Sequence, residues 1–254
     1  MTELFANYAA LVAALPEHTP LTREDVLCEE FLLARHARFE LYWAPFEYVN
    51  SAARLALVGI APGWYQTEQA FRVARDELQA GTPAAQASAL ARRAASFSGP
   101  IRRTLVAMLD GLDLHNALGI GSCWELWGEH HELLHTTALV RYPVFIGGKN
   151  WSGYTPDALK TPLLRQYVVE TLADELRRAP QALIVPLGRS AAQGLALLAE
   201  QGALDPARLL PGLPHPSGAN VHRPAQYAAV RQQAAQAVQA WFGGLAGAKH
   251  LLPA

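Results

Sequence analysis

The chain has 254 residues, of which 51% are hydrophobic and 17% charged, a composition that fills a sizeable core and excludes extended disorder. Lysine and arginine total 21 against 22 acidic residues, so the molecule as a whole exerts no long-range pull on a polyanion. Two cysteines, Cys28 and Cys123, cannot build a disulfide framework or a four-thiolate iron–sulfur cluster, and with no basic leader and no apolar run of about 18 residues the expected setting is the cytoplasm, without a membrane partner.

Residues 3–15 show helical, amphipathic spacing, and Pro16 with Pro20 stops them before Thr22 offers a cap for a second helix. The run Tyr42-Trp43-Ala44-Pro45-Phe46-Glu47-Tyr48 is dense in aromatics; lining a groove is one use for it, packing beside a proline the commoner one. Residues 55–60 form a short apolar run with the length and flanks of a strand buried on both faces. Residues 67–95 read as two helices parted by Gly81-Thr82-Pro83, with Thr82 as cap and Pro83 in the first helical position. Gly99-Pro100 precedes another helix, residues 101–109.

Residues 136–140 are β-branched and aliphatic, a second strand, and 147–153 form an irregular loop. Residues 163–178 return to helical spacing. Residues 182–187 are the most strand-like run of the chain, and Gly188-Arg189-Ser190 turns it into a helix. A fourth apolar run, 209–213, ends at Pro214-His215-Pro216, and a last amphipathic helix runs from Pro224 to about Phe242.

Four strands separated by helical connections predict an α/β protein: a three-layer α/β/α sandwich around a central, mainly parallel four-stranded sheet. One domain is expected over residues 1–254, with a helical lead-in over 1–50 and the core over 55–242. In such sheets ligands bind beyond the carboxyl ends of the strands, which is where the two most informative loops begin.

The first loop, Gly59-Ile60-Ala61-Pro62-Gly63, follows the first core strand and lets a substrate approach main-chain amides. The second, His215-Pro216-Ser217-Gly218-Ala219-Asn220, combines a titratable ring between two prolines with a hydroxyl and an amide near a helix start. Together, and in this order, a Gly-x-x-Pro-Gly turn and a His-Pro-Ser turn resemble the signature loops of the uracil-DNA glycosylase superfamily. Residue-level similarity is confined to these loops and, weakly, residues 137–141.

The resemblance implies a monomeric DNA glycosylase of base excision repair, acting on single- or double-stranded DNA and needing no cofactor. The enzyme would flip a deaminated or modified base, uracil or a relative, into a pocket and hydrolyse its N-glycosidic bond. His215 would donate a hydrogen bond to the base oxygen where negative charge accumulates. Ser217, with Asn220 in the same loop, would hold a flanking phosphate. Gly59, Ile60, Ala61, Pro62 and Gly63 would line the base pocket with Thr137, and Trp64 or Tyr65 would stack on the base.

Three departures bear on that reading. Many superfamily members place Asp or Asn where this chain has Ala61, which cannot activate water. Glu68 and Asp110 are carboxylates within reach of the same region in sequence, each in a helical context that favours a solvated face. Gly63 stands where several members carry a bulky aromatic, which implies a permissive pocket, and the strand position of an expected base-reading Asn holds Thr136, Thr137 and Ala138.

Two other readings compete. His131-Glu132-Leu133-Leu134-His135 has the spacing of a zinc hydrolase helix, two His one turn apart with Glu between, although Gly128 and the following strand leave little room for a helix. A nucleic-acid-binding protein of the same fold without chemistry is the third, with Arg92, Arg93, Arg102, Arg103, Arg141, Lys149 and Arg223 as a basic rim.

Overall fold

The computed structural model describes residues 3–36 and 39–249. In chain order the elements are α1 (Glu3–Ala13), α2 (Arg23–Val26), β1 (Leu32–His36), β2 (Phe39–Tyr42), β3 (Leu55–Gly59), α3 (Trp64–Gln79), α4 (Ala84–Ala95), α5 (Pro100–Asp110), α6 (Leu114–Leu118), β4 (Leu134–Ala138), β5 (Val144–Ile146), β6 (Lys149–Asn150), α7 (Pro162–Gln166), α8 (Ala173–Arg178), β7 (Leu183–Pro186), α9 (Arg189–Glu200) and α10 (Arg223–Lys249). A π-helical stretch, Tyr167–Leu172, joins α7 to α8. The chain divides into two compact units: Met1–Val49, Ile60–Ser98 and Thr136–Leu172 in the first, and Asn50–Gly59, Gly99–His135 and Ala173–Ala254 in the second.

The first unit carries a four-stranded sheet in the order β1-β2-β5-β6, with every neighbouring pair antiparallel. Its aromatic core gathers Phe5, Tyr8, Phe31, Trp43 and Phe71, with the Tyr8 and Trp43 rings stacked at 4.2 Å and Phe31 and Phe71 tilted at 4.8 Å. Trp43 is fully buried, so the aromatic run after β2 is packing, which aromatic pairs favour beyond the area they bury. Two donors, the indole N–H of Trp43 and the hydroxyl of Tyr142, converge on Oε1 of buried Glu47. Thr22, at the N-cap position of α2, donates its N–H and its hydroxyl to Asp25 Oδ2, and buried Arg75 donates to the carbonyls of Pro16 and His18, fixing the proline-rich link after α1.

The parallel sheet has three strands in the order β4-β3-β7. Within the second unit β3 and β7 run parallel, Leu55 beside Leu183 and Val58 beside Pro186, and all their residues are buried. Apolar residues at every position suit strands covered on both faces. Arg208, itself buried, donates to the carbonyls of Leu176, Ala179 and Ala182, satisfying the orphan acceptors after α8. Burial lowers its pKa from the usual arginine value, opposed by the nearby Asp205 carboxylate.

The expected central, mainly parallel four-stranded sheet is therefore corrected, and the three-layer arrangement built on it falls too. The sheet of four strands is antiparallel, and the parallel one has three. Residues 209–213 form no named strand and meet β7 and the residue after it at isolated parallel bridges, Ile184 with Leu209 and Leu187 with Leu213. Pro211, lying between the bonded amides of Leu210 and Leu213, has no N–H to continue a ladder. Conversely, residues 1–50 are not wholly helical, since β1 and β2 lie among them.

Candidate active site

In the second unit, the carboxyl ends of three parallel segments meet at one edge. The amide of Leu187 donates to Val58 O at 2.9 Å, that of Leu213 to Pro186 O at 3.0 Å, and that of Gly188 to Leu213 O at 2.8 Å. Gly59, at the end of β3, and His215, two residues beyond Leu213, thus emerge from the same edge of the sheet. Gly188 has φ +95°, and a Cβ placed on it would lie 3.1 Å from the Cβ of His215. Glycine is needed here twice over, for a conformation that L side chains avoid and for the close approach of the imidazole.

The loop fixes the protonation pattern of the ring. Ser217 N–H donates to His215 Nδ1 at 3.3 Å, so Nδ1 is the acceptor and the proton of the neutral ring resides on Nε2. Burial holds the imidazole pKa down to about 4, and the ring is therefore a neutral hydrogen-bond donor through Nε2 at physiological pH. Nε2 makes no hydrogen bond among the described residues. A neutral imidazole whose Nε2–H is not engaged among the described residues can stabilise a developing oxyanion without having to release a proton.

The rest of the loop braces this ring. Arg223 donates to Ser217 O at 2.7 Å and Pro216 O at 3.3 Å. Ser217 Oγ accepts from Ala219 N at 3.1 Å, an interaction that leaves its own O–H to donate. Asn220 Nδ2 reaches His215 O at 3.4 Å and Gln226 Oε1 at 2.9 Å, so Asn220 is a loop brace. Val221, next in the chain, is 78% exposed.

In the first unit, the bend after β3 is tied to the segment following β4 by Val140 N–H donating to Ile60 O at 3.0 Å. Ala61, Pro62 and Gly63 are half-buried. The Gly63 amide donates to Gln66 Oε1 at 3.1 Å and the Trp64 amide to Asn150 Oδ1 at 2.9 Å. The Gly63 amide, expected to be open to substrate, and the Trp64 amide beside it are thus both occupied by side chains at the start of α3. Asn150, absent from the sequence-based candidates, also fills the space that a side chain at position 63 would take, its Nδ2 lying 3.0 Å from a Cβ placed there. Trp64 lies under the Arg23 guanidinium at 4.7 Å, whereas Tyr65 is 56% exposed. Thr137 is buried on β4 with its hydroxyl lacking a hydrogen-bond partner among the described residues.

Glu68 lies off the solvated face expected for it, whereas Asp110 is about a third exposed, with a side-chain exposure of 30%. Glu68 is buried and accepts from Leu21 N and Arg72 Nε, while Asp110 accepts from Ser122 Oγ and Cys123 N. Burial, followed by this Asp110 carboxylate, pushes the Cys123 thiol pKa well up. Both acids are structural acceptors rather than substitutes for the polar residue missing at Ala61.

The zinc spacing does not form a helix. His131 begins a single 3₁₀ turn, His131–Leu133, and His135 lies in β4. His135 Nε2 meets Glu175 Oε2 at 3.3 Å with both side chains 1% exposed, whereas His131 is half exposed. No group of three or more His, Cys, Asp or Glu residues among the described residues is arranged to hold a metal. The basic rim is also partly spent. Arg92 is buried and donates to Phe46 and Tyr48 carbonyls, Arg102 covers Trp127, Arg141 covers Tyr142, and Arg223 holds the His215 loop. Arg93, Arg103 and Lys149 are exposed.

No helix among the described residues is long and apolar enough to cross a membrane. No family model matches the chain. The uncharacterized protein YoxB of Bacillus subtilis (strain 168) is 37% identical over 229 residues, an alignment covering 89% of each chain. Identity of that extent over nearly the whole length is shared ancestry, and the chain belongs to the family of the Bacillus subtilis protein YoxB.

Proposed function

We propose that this protein is a DNA glycosylase-like hydrolase that cleaves the N-glycosidic bond of a deaminated or modified base. The observation that carries the reading is the state of His215: neutral, with Nδ1 engaged by Ser217 N–H and Nε2–H left to donate. As the base–sugar bond breaks, its electron pair stays with the base, whose carbonyl oxygen accepts from Nε2–H; water adds to the cationic sugar carbon and loses a proton to solvent, from which the departed base anion takes one up. Ala61 supplies no group to activate that water, so departure of the base carries the acceleration and slow turnover is the corollary. Ser217 O–H would hold a phosphate, and exposed Val221 would serve as an apolar wedge between base steps.

Incubation with single- and double-stranded oligonucleotides containing uracil, hypoxanthine or xanthine, followed by alkali, tests the reading through strand scission at abasic sites. Scission that falls by roughly 10²–10³ in His215→Ala supports it, by the usual effect of deleting one oxyanion donor. Undiminished scission in that variant removes His215 from the chemistry. A second reading, nucleic-acid binding without cleavage, is favoured by Ala61; salt-dependent binding by a protein inert on every oligonucleotide would establish it.

A further inference from the structure

We propose that Arg23 is a positioning residue that works through Asn150, latching the β5–β6 hairpin onto the first turn of α3. All the residues concerned lie in the first unit, where Asn150 accepts from the Trp64 amide at the start of α3. Strand β6 has two exposed residues and pairs only with β5, Phe145 beside Asn150 and Ile146 beside Lys149. Its turn, Gly147-Gly148, has φ +53° and +71°, the conformation of a two-residue hairpin that glycine adopts at no steric cost. Such a short edge hairpin has little holding strength of its own.

Arg23 supplies the hold from three directions. Its guanidinium carbon lies 4.7 Å from the Trp64 ring centre and 5.3 Å from that of Phe145, and Nη1 donates to Gly148 O at 2.8 Å. One planar cation thereby joins the hairpin tip, the hairpin's inner strand and the start of α3. With the hairpin in that place, Asn150 Oδ1 accepts from Trp64 N–H at 2.9 Å, and Nδ2 is presented over Gly63. The amide is oriented by that bond, and a ligand at the bend meets its N–H donors in fixed position. The charged neighbours on the same helix are Glu24 and Asp25; Asp25 is already committed to Thr22 and His18. Lysine cannot stack on two rings and donate in the plane at once, so Arg23→Lys should fail as a replacement.

The experiment uses the full chain and four variants: Arg23→Ala, Arg23→Lys, Asn150→Ala and the double Arg23→Ala/Asn150→Ala. Hydrogen exchange at the Trp64 amide should accelerate by about tenfold or more in all four. In Trp64 amide exchange, the double variant should match Asn150→Ala alone, because a residue acting only through its partner adds nothing once the partner is gone. Additive losses of protection, or rescue by Arg23→Lys, would make Arg23 a general structural support and overturn the latch. Unchanged Trp64 exchange in Arg23→Ala overturns it whatever the activity. A wild-type chain inert on every oligonucleotide defeats the glycosylase reading instead, and the exchange data then decide the latch by themselves.

Discussion

The Cβ that Gly188 lacks would lie 3.1 Å from the Cβ of His215, so the end of one core strand sets where the imidazole stands. Gly188→Ala introduces both that contact and a side chain at φ +95°. Stability should fall by about 1–3 kcal/mol, read as a lower denaturation midpoint with unchanged slope. Scission of a uracil-containing oligonucleotide should drop by about 10²-fold, the cost of misplacing a reacting group by an ångström or so. Full activity in a destabilised Gly188→Ala protein would show that the ring position is set elsewhere.

The low pKa of His215 has a defined pH signature. Because burial depresses it from 6.5 to about 4, the unfolded chain binds a proton that the folded chain refuses over that interval. Folding stability is thus complete above pH 6.5 and is lost as pH falls toward 4. The scission rate should show no inflection near 6.5 and should decline only near the folded value. NMR titration of the His215 ring checks the same point; a midpoint above 6 would contradict it.

The buried pair His135 and Glu175, 3.3 Å apart, belongs to folding rather than metal binding. Replacing His135 by Ala leaves a carboxylate in the core, and a loss of about 3–5 kcal/mol is expected. His131→Ala, at a half-exposed site, should change stability by no more than about 0.5 kcal/mol. Chelators should leave the unfolding midpoint of the wild-type chain in place; a chelator-sensitive midpoint, restored by zinc, would revive the hydrolase alternative.

Val221 is 78% exposed beside the His215 loop, an unusual place for an apolar side chain without a partner surface. Val221→Ser should leave cleavage of single strands within about twofold while slowing duplex cleavage by about tenfold, because only the duplex requires unstacking. Equal slowing on both substrates would assign Val221 to loop structure instead.

Much of the scaffold is legible in the residues themselves. The apolar run at 55–60 is realised as β3, that at 182–187 as β7, and the break at Gly81-Thr82-Pro83 parts α3 from α4. These are long or uniformly apolar segments in which local pattern and tertiary burial agree. The antiparallel sheet is not legible, because β1 and β2 carry Arg35, His36 and Glu40, and β5 and β6 have three and two residues; pairing creates these strands. The His131–His135 spacing misleads for a related reason, since β4 captures His135 before a helical turn can form. At the candidate site, the Pro-flanked loop singles out His215 in the sequence, but the tautomer depends on Ser217 folding back onto the ring. Asn150 is invisible because it reaches Trp64 from 86 residues away.

The antiparallel sheet also limits how this molecule meets copies of itself. One border, β1, is interrupted by a register shift between Leu32 and Ala34 and bears Arg35 clasped by Glu29 and Glu40. The other border is only Lys149 and Asn150, beginning at a two-glycine turn. Neither border of this sheet exposes a straight, uncharged row of amides and carbonyls, so this sheet offers a poor template for edge-to-edge pairing with a foreign strand.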